Sequence, residues 1–427
     1  MRTKQLTCLF ALGCGFLSIS PALATNGYFQ NGYGAKTKAL GGAGVAAGQD
    51  ALTLALNPAG LTKLDNGLDL GFSMFSPHRA VTATGGGDFG FPPDGRVESG
   101  NELFVIPHFG VSYRLDDKNS VGFAIYGNGG MNTEFPAFDR QCPDPASGAV
   151  GPGSGLFCAG AAGVDLIQLF FAPGYAHQVT DRISIGISPI FSVQRFEAEG
   201  IGSFAALSSA PDRLSNQSAD YAFGAGFRLG AQMALTDRLE FGISYVSRIY
   251  MDKFEKFSGL FADQGGFDIP PALTAGLAFK ASDHLTLYGD YQRIWYSNIR
   301  SIGNPFASTQ PLGAQDGPGF GWRDVDVARF GAEWTINDQW ALRAGYAYND
   351  QPVQPSEVLF NILAPGVVRH HVTAGLSRTL FGSVTGHLGG MYAPESSVSG
   401  ANPLNPAQQI RLDMHQFELT AGITIGF

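Results

Sequence analysis

The carboxy-terminal residues of the chain alternate strictly between apolar side chains and polar or small ones. Because successive side chains of a β-strand point to opposite faces, this period of two predicts a strand that continues to the last residue. The apolar positions on one face of this strand are Phe417, Leu419, Ala421, Ile423, Ile425 and Phe427. That face suits lipid, whereas the opposite face suits a wet interior.

Similar alternating segments recur along most of the chain. They are joined on one side by short turns in which Asp stands beside Ser, Thr or Asn, whose side chains bond their own backbone. On the other side lie long stretches rich in Gly, Pro and Asn, near residues 81–96, 135–163, 200–217, 257–270, 300–322, 351–366 and 395–408. The pattern predicts an all-β fold, a transmembrane antiparallel β-barrel of about 14 strands with short periplasmic turns and long outward loops.

The amino terminus has the pattern of an export signal. Two basic residues precede a short apolar run, and a small-x-small site follows at Ala22-Leu23-Ala24. These features predict a removed signal peptide over residues 1–24. An inner-membrane anchor is the alternative, but the run is short of the roughly 20 residues that a spanning helix needs. Together with a last strand that ends in an aromatic residue and so resembles those of outer-membrane barrels, the signal predicts the bacterial outer membrane.

Composition agrees with a barrel. The mean hydropathy is +0.02, although 12% of the residues are aromatic and 58 are glycine. A barrel spreads its apolar residues by alternation, so its bulk hydropathy resembles that of a soluble protein. The net charge is −9 and becomes −11 once the two basic residues of the signal are removed. No basic patch is present in the sequence, which excludes nucleic acid as the expected partner.

Two cysteines remain in the predicted mature chain, Cys142 and Cys158. Both lie in one Gly/Pro-rich segment, and an exported protein folds in an oxidising compartment. We therefore predict a disulfide that closes one outward loop. A metal site is the alternative, but it needs two more ligands, and none is apparent in the segment. We predict no metal and no cofactor.

The segment from residue 25 to 65 differs from the rest, because it is rich in Gly and Ala and has no alternation. It contains Asn57-Pro58-Ala59-Gly60, which breaks regular structure. A partial match to a dinucleotide fingerprint at residues 42–47 is weak, because no strand precedes it and no βαβ unit follows. The small residues favour packing inside the lumen over a position in the periplasm. The predicted organisation is thus a signal peptide at 1–24, a luminal segment at 25–65 and a barrel at 66–427.

Three parts of the sequence resemble one family, the FadL-type outer-membrane transporters of long-chain fatty acids and hydrocarbons. Residues 40–61, with Asp50 ahead of Asn-Pro-Ala, resemble the amino-terminal hatch of that family. Residues 128–135 resemble its kinked third strand, and residues 320–355 resemble its later strands and a connecting loop. The resemblance implies a fourteen-stranded barrel that is plugged by the hatch and passes hydrophobic molecules by diffusion without energy input.

The resemblance also implies a route and a pocket. A kink in the third strand at Gly129 and Gly130 would open the wall beside the hatch, so that ligand leaves sideways into the bilayer. We predict that Asn57, Pro58 and Ala59 face this kink, with the Asn57 amide bonding backbone groups that the kink leaves unpaired. The alternative is that the two glycines simply begin an outward loop. In the mature start, Tyr28 and Phe29 would occupy the inner ligand pocket.

The substrate within the hydrophobic class stays open at this point. Long-chain fatty acids, aromatic hydrocarbons and alkanes all fit the resemblance. Arg195, Arg248 and Lys253 lie near predicted outward strand ends and are candidate partners for a carboxylate. Solvated rim charges are the simpler interpretation of these three residues, because long cationic side chains commonly extend into interfaces.

Two other functions are less well supported. Histidines at 78, 108, 370, 371 and 415 have no nucleophile motif beside them, so we predict that the chain is not an enzyme. A general porin for small polar solutes is the more serious alternative, and the luminal segment argues against it. The expected partners are a hydrophobic small molecule, outer-membrane lipid and lipopolysaccharide, and the barrel-assembly machinery through Phe427. We expect a monomer.

Overall fold

The computed structural model describes residues 26–88, 90–143 and 149–427. The predicted signal peptide and the first mature residue lie outside this range. Within it, fourteen antiparallel strands form one sheet that closes on itself, because the first strand pairs with both the second and the last. The strands are β1 Gly67–Thr84, β2 Phe104–Arg114, β3 Asn119–Phe135, β4 Ala162–Thr180, β5 Ile183–Glu199, β6 Asp220–Ala234, β7 Leu239–Val246, β8 Ala272–Lys280, β9 Leu285–Ile294, β10 Val325–Asn337, β11 Trp340–Asn349, β12 His370–Phe381, β13 Val384–Asn402 and β14 Asn405–Gly426. The predicted fold class is confirmed.

Helices in the described residues are short, and none is long and apolar enough to cross a membrane. Ahead of β1 lie α1 Gly34–Ala39 and two 3₁₀ turns, Ala51–Ala55 and Pro58–Lys63. The outward loops carry the others: Gly202–Leu207, Pro211–Arg213, Glu255–Phe257, Ala262–Gly265, Tyr296–Asn298, Arg300–Gly303, Pro355–Glu357 and Phe360–Ile362. Short extra strands are Gly95–Glu98 beside β1, Tyr250–Met251 beside β6, and the loop hairpin of Asp139–Pro143 and Val150–Ser154.

The two faces of the strands separate as the alternation predicts. In β14, Phe417 is 47% exposed on the outer face, while its neighbour Glu418 is buried in the lumen. In β1, Phe72 is exposed and Ser73 is buried. A bilayer offers no water to backbone groups, so a closed ladder with an apolar outer face is one of the few structures that can cross it.

The periplasmic turns also form as predicted. After β2, the Asp116 carboxylate accepts hydrogen bonds from the amides of Lys118 and Asn119, each at 2.8 Å. After β6, the Thr236 hydroxyl accepts one from the Leu239 amide at 3.0 Å. These side chains satisfy backbone groups that a tight turn leaves unpaired.

One predicted outward loop is wrong. Residues 395–408 are mostly strand, because β13 and β14 continue to Asn402 and Asn405 and leave only two residues between them. Their polar and small residues suggested a loop, but alternate positions of β14 are apolar and buried at Ile410, Leu412 and Met414. Burial of these side chains stabilises the pairing by more than the local turn residues disfavour it.

The outward loop between β3 and β4 is held from two sides. A disulfide joins Cys142 and Cys158, whose Cα atoms are 5.8 Å apart. The Arg140 guanidinium donates to the carbonyls of Asp88 and Gly90, each at 2.7 Å, and so ties this loop to the one before it. The loop is thus fixed at the outward end of the barrel.

Replacing both Cys142 and Cys158 by Ser is expected to loosen this loop and to leave the barrel intact. Closing a loop with a sequence separation of 16 residues contributes about 3 kcal/mol in the chain-entropy model, whereas the barrel ladder does not include the bond. Limited proteolysis of intact cells should cut the variant faster within residues 136–161, while its heat-modifiable migration on gels stays parental. Ready labelling of wild-type thiols in unreduced cells would contradict the bond.

Candidate functional site: hatch, wall gap and aromatic pocket

Residues 26–65, called the hatch below, fill the lumen and are almost entirely buried. Two side-chain caps shape this segment. The Asp50 carboxylate accepts from the Leu52 amide at 3.0 Å, and the Asn57 side-chain oxygen accepts from the Ala59 amide at 3.1 Å. Pro58 stands at the first position of its 3₁₀ turn, where its missing N–H costs nothing. Asn-Pro-Ala therefore starts a turn of helix rather than only breaking structure.

Buried ionic and polar contacts anchor the hatch to the wall. Lys38 pairs with Glu418 of β14 and donates to the Ser73 hydroxyl at 3.0 Å. The Asp290 carboxylate of β9 accepts from the amides of Gly44 and Val45 at 2.8 and 3.0 Å. Removing one partner of such a buried pair leaves an uncompensated charge, which costs about 3 to 5 kcal/mol. These contacts fix the hatch to two separate strands of the barrel, β14 and β9.

Within the hatch, Lys36 pairs with Asp50 at 3.6 Å. Burial raises the pKa of Asp50 to about 6, and the nearby Lys36 ammonium opposes that rise. The pair lies on the side of the hatch that faces β1, where the Asp69 carboxylate accepts from the Ala51 amide at 2.9 Å. Two carboxyl groups and one ammonium therefore share this part of the lumen.

The predicted partner of Asn57 is wrong. Its side-chain NH₂ donates to the carbonyls of Val45 at 2.8 Å and of Ala231 on β6 at 3.0 Å. A Cβ atom at Gly230 would lie 1.9 Å from the Asn57 oxygen, so the two backbones approach closely only because that residue is glycine. Asn57, Pro58 and Ala59 thus pack against the wall near β6, not against Gly129 and Gly130. The cap fixes the orientation of the amide and directs its NH₂ group there.

The irregularity predicted in the third strand is present. The register between β3 and β4 shifts between Gly127 and Gly129, which leaves one extra residue on β3. On its other side, β3 pairs with β2 only as far as Tyr126 opposite His108. Both strands continue beyond this pair without a shared ladder, and we call that stretch the wall gap. The glycines belong to a strand and do not begin a loop.

Hatch residues take the place of the missing strand partner. The Tyr28 carbonyl accepts from the Gly130 amide at 3.2 Å, and the Gln30 amide donates to the Asn128 carbonyl at 3.1 Å. The Gln30 side chain donates to the Gly127 carbonyl at 2.7 Å. A Cβ at position 129 would lie 1.8 Å from the Tyr28 carbonyl oxygen, so Gly129 is required for this approach. Residues 28–30 therefore satisfy the backbone groups of β3 from Gly127 to Gly130, and the Arg79 guanidinium donates to the Asn132 carbonyl further along.

Two hollows lie on either side of the wall gap. A groove of about 660 Å³ on the bilayer side is lined by apolar residues that include Leu70, Phe72 and Phe109. A much smaller space on the luminal side is lined by hatch residues and Tyr126. Pro107 and His108 line both hollows. These two residues are therefore the barrier between lumen and bilayer at this point.

Tyr28 and Phe29 lie in an aromatic pocket at the centre of the barrel. The Tyr28 ring is fully buried, and its centroid lies 5.2 Å from that of Tyr296 and 5.9 Å from that of Trp322. The Tyr296 hydroxyl accepts from the Tyr28 amide at 3.2 Å. Trp322 in turn donates to the Asn361 side chain at 2.6 Å. Hatch side chains thus fill the space between these rings.

A third hollow lies under the outward loops, and its lining is apolar. Its free volume is only about 30 Å³, less than a hydrophobic ligand needs without movement of the loops. The rings on its wall are Phe157, Phe196, Phe204, Phe261, Phe320 and Phe360. Sequence reasoning missed these residues, because most lie in loops, where no periodic pattern marks a buried side chain.

The three candidate rim charges all have acidic partners. Arg195 is on the outer face of β5 and pairs with Asp165. Arg248 pairs with Asp268 at 2.6 Å. Lys253 pairs with the Asp263 carboxylate at 3.4 Å. None of the three side chains lines the hollows described above.

Replacing Asn57 by Ala is expected to loosen the hatch. The change removes the side-chain hydrogen bonds to the carbonyls of Val45 and Ala231 and the cap at Ala59, each of which contributes about 1 kcal/mol. The Val45 carbonyl keeps only the bond from the Gln232 side chain, at 3.1 Å. Proteolysis from the periplasmic side should release hatch peptides faster than in the parent. The exposed turn residue Gln339, replaced by Ala, is the matched control. Equal protection of the Asn57 variant and the parent would contradict this role.

Comparison with known proteins gives one family and several solved structures. Residues 20–380 match the model of the outer membrane protein transport protein family (OMPP1/FadL/TodX). A protein of Neisseria meningitidis serogroup B that is named as an outer membrane protein is 23% identical over an alignment of 391 residues, with coverage of 83% of this chain and 83% of its own. The toluene transporter TodX of P. putida has a TM-score of 0.70 at 19% identity, covering 93% of this chain and 99% of its own. A FadL homologue of Pseudomonas aeruginosa has a TM-score of 0.68 at 15% identity, covering 94% and 100%.

Proposed function

We propose that the barrel carries hydrophobic compounds across the outer membrane by facilitated diffusion, because this chain belongs to the outer membrane protein transport family (OMPP1/FadL/TodX). The candidate compounds are long-chain fatty acids and aromatic hydrocarbons. The observation that carries the proposal is the wall gap, where Pro107 and His108 alone line both the luminal and the bilayer-side hollow.

The chemistry of the lining supports capture in the barrel. A hydrophobic ligand gains roughly 0.8 kcal/mol for each methylene that it buries. The hollow under the loops offers six phenylalanine rings, and the pocket below it holds Tyr28, Tyr296 and Trp322. Flat or slender apolar molecules fit between such rings, whereas a hydrated sugar would lose its water there without replacement. This argues against the general porin.

Exit through the wall follows from the same geometry. The hatch itself buries carboxylates and ammonium groups, which a hydrophobic molecule would have to pass to reach the periplasm. Beside the hatch, the wall gap faces a groove with an apolar lining that includes Leu70 and Phe72. Sideways exit keeps the ligand among apolar groups, so it is the route of lower free energy.

The substrates named for similar transporters suggest a substrate for this chain only by analogy. TodX of P. putida and TbuX of Ralstonia pickettii are named toluene transporters, and the latter has a TM-score of 0.64 at 18% identity, covering 93% of this chain and 99% of its own. The aromatic lining of the pocket is compatible with such molecules. A fatty acid tail gains comparable burial in the same space, so the lining alone favours neither class.

A reversible staple across the wall gap is expected to stop transport. A Cβ atom at Gly127 would lie 3.0 Å from the Ile106 side chain, so cysteines at these positions of β3 and β2 can bond. In a receptor-deficient strain, Ile106→Cys with Gly127→Cys should lose uptake of oleate and toluene when oxidised and regain it on reduction, because the gap can no longer widen.

The matched control places cysteines at Val111 and Phe123, which face each other where β2 and β3 are already paired. That staple should leave uptake unchanged. Parental transport by the oxidised gap variant would show that ligand leaves through the periplasmic end. Entry of a small sugar in place of both hydrophobic compounds would favour the porin instead.

A further inference from the structure

A serine, a histidine and a glutamate contact one another on the outer face of the barrel, away from the site described above. Ser76 and His78 lie two residues apart on β1, so their side chains share one face of the strand. The Ser76 hydroxyl is 3.3 Å from Nε2 of His78, and the Glu102 carboxylate is 3.0 Å from Nδ1 of the same ring. Glu102 comes from the segment between β1 and β2, so no local sequence motif marks the three residues.

The carboxylate determines which nitrogen of the imidazole carries the proton. An ionised Glu102 can only accept, so Nδ1 of His78 donates to it and Nε2 is left as an acceptor. The Ser76 hydroxyl therefore donates to Nε2, which is the direction in which a general base removes the proton of a nucleophile. A nucleophile next to a base that a third group orients is the geometry of Ser-His-acid triads. The distance of 3.3 Å is in the range of such sites before substrate binds.

Ser76 lies at the boundary between the apolar and the polar part of the outer face. In its own row it pairs with Phe417 of β14, whose ring stacks on Tyr392 at 4.9 Å. Further outward, exposed residues of β13 and β14 are charged, among them Glu395 and Arg411. Aromatic rings mark the edge of the hydrocarbon layer, where the ester groups of lipids also lie. Towards the periplasm, alternate residues of β1 are apolar and exposed: Leu70, Phe72 and Met74.

The three side chains are open to a molecule that arrives from the membrane surface. The side chain of His78 is 33% exposed, and that of Glu102 is 44% exposed. Phe72, in the lining of the groove of about 660 Å³, stands four residues from Ser76, or about 13 Å along the strand. An acyl chain whose ester carbonyl meets Ser76 would therefore lie on the apolar face of β1 and reach this groove. The His415 ring stacks on His78 with centroids 4.5 Å apart and brings a further N–H donor to the site.

We propose that Ser76, His78 and Glu102 hydrolyse carboxylic esters that have an apolar acyl chain and lie at the membrane surface. The Ser76 oxygen bonds to the carbonyl carbon while Nε2 of His78 takes its proton, and an N–H of His415 stabilises the oxyanion. The bond from this carbon to the alcohol oxygen then breaks, and the alcohol leaves with that proton. Water, deprotonated by His78, cleaves the acyl-serine, which releases the acid and restores the hydroxyl. This activity goes beyond the proposed transport and does not depend on it.

The test measures acid release by the purified full-length barrel in mixed micelles that contain p-nitrophenyl octanoate or a phosphatidylcholine. Hydrolysis of the phosphatidylcholine would assign the substrate to bilayer lipids, and hydrolysis of the nitrophenyl ester alone would assign it to esters that arrive from outside. Ser76→Ala and His78→Gln should each lower kcat by about a hundredfold or more, because the nucleophile or its base is lost. Glu102→Gln should lower it by about tenfold or more, because Nδ1 loses the acceptor that orients the ring.

Ser399→Ala is the matched control, because Ser399 is exposed on β13, two strands away, and should keep the parental rate. A fluorophosphonate, which bonds to an activated serine with loss of fluoride, should label Ser76 in the parent but not in His78→Gln, as read by peptide mass spectrometry. Heat-modifiable migration identifies the folded variants. Hydrolysis of neither ester by the parent, a parental rate in folded Ser76→Ala, or labelling of another serine in place of Ser76 would each overturn the proposal.

Discussion

The hydrogen bonding of the backbone within a bilayer is the constraint on which this structure depends. Each strand group that faces lipid must find its partner inside the protein, and the closed ladder of fourteen strands supplies these partners. The exception is the side of β3 that follows Tyr126, where β2 no longer pairs with it. There the carbonyl of Tyr28 and the backbone and side chain of Gln30 complete the ladder from within. The hatch is thus part of the wall as well as a plug in the lumen.

The charged groups of the lumen follow from the same constraint. An ion buried among strands is tolerated where an opposite charge or several hydrogen-bond partners surround it. Lys38 with Glu418, and Asp290 with two hatch amides, meet this condition and fix the hatch in place. Arg329 forms no ion pair within the described residues, but its guanidinium donates to the side chains of Asn31 and Gln292. Arg228 also forms no ion pair there, and it makes a long hydrogen bond to the Leu56 carbonyl at 3.4 Å. The structure therefore shows which buried charged residues have partners and which do not. The sequence does not show this difference, because all of these residues are polar.

Sequence predicted the parts of this protein that depend on local order. The alternation up to Phe427 and the Asp-containing turns report interactions between residues close in the chain or on one face of a strand. The irregular third strand was expected from the family resemblance, because its glycines alone also suited the start of a loop. The partner of Asn57 on β6 and the phenylalanines of the loops could not be predicted, because these contacts join segments far apart in sequence. For residues 395–408 the local sequence was misleading. Their turn-forming residues predicted a loop, but burial of apolar side chains such as Leu412 further along β14 favours strand pairing.

Gly129 is a position at which the structure does not tolerate substitution. Most wall positions can exchange one apolar or one polar residue for another at little cost, because their side chains face lipid or water. At position 129 even alanine would bring its Cβ atom to within 1.8 Å of the Tyr28 carbonyl oxygen. No substitution of Gly129 is therefore neutral, and a larger residue at this position would require the hatch backbone to shift at the same time. The irregular part of β3 and the hatch residues that pair with it can therefore change only together.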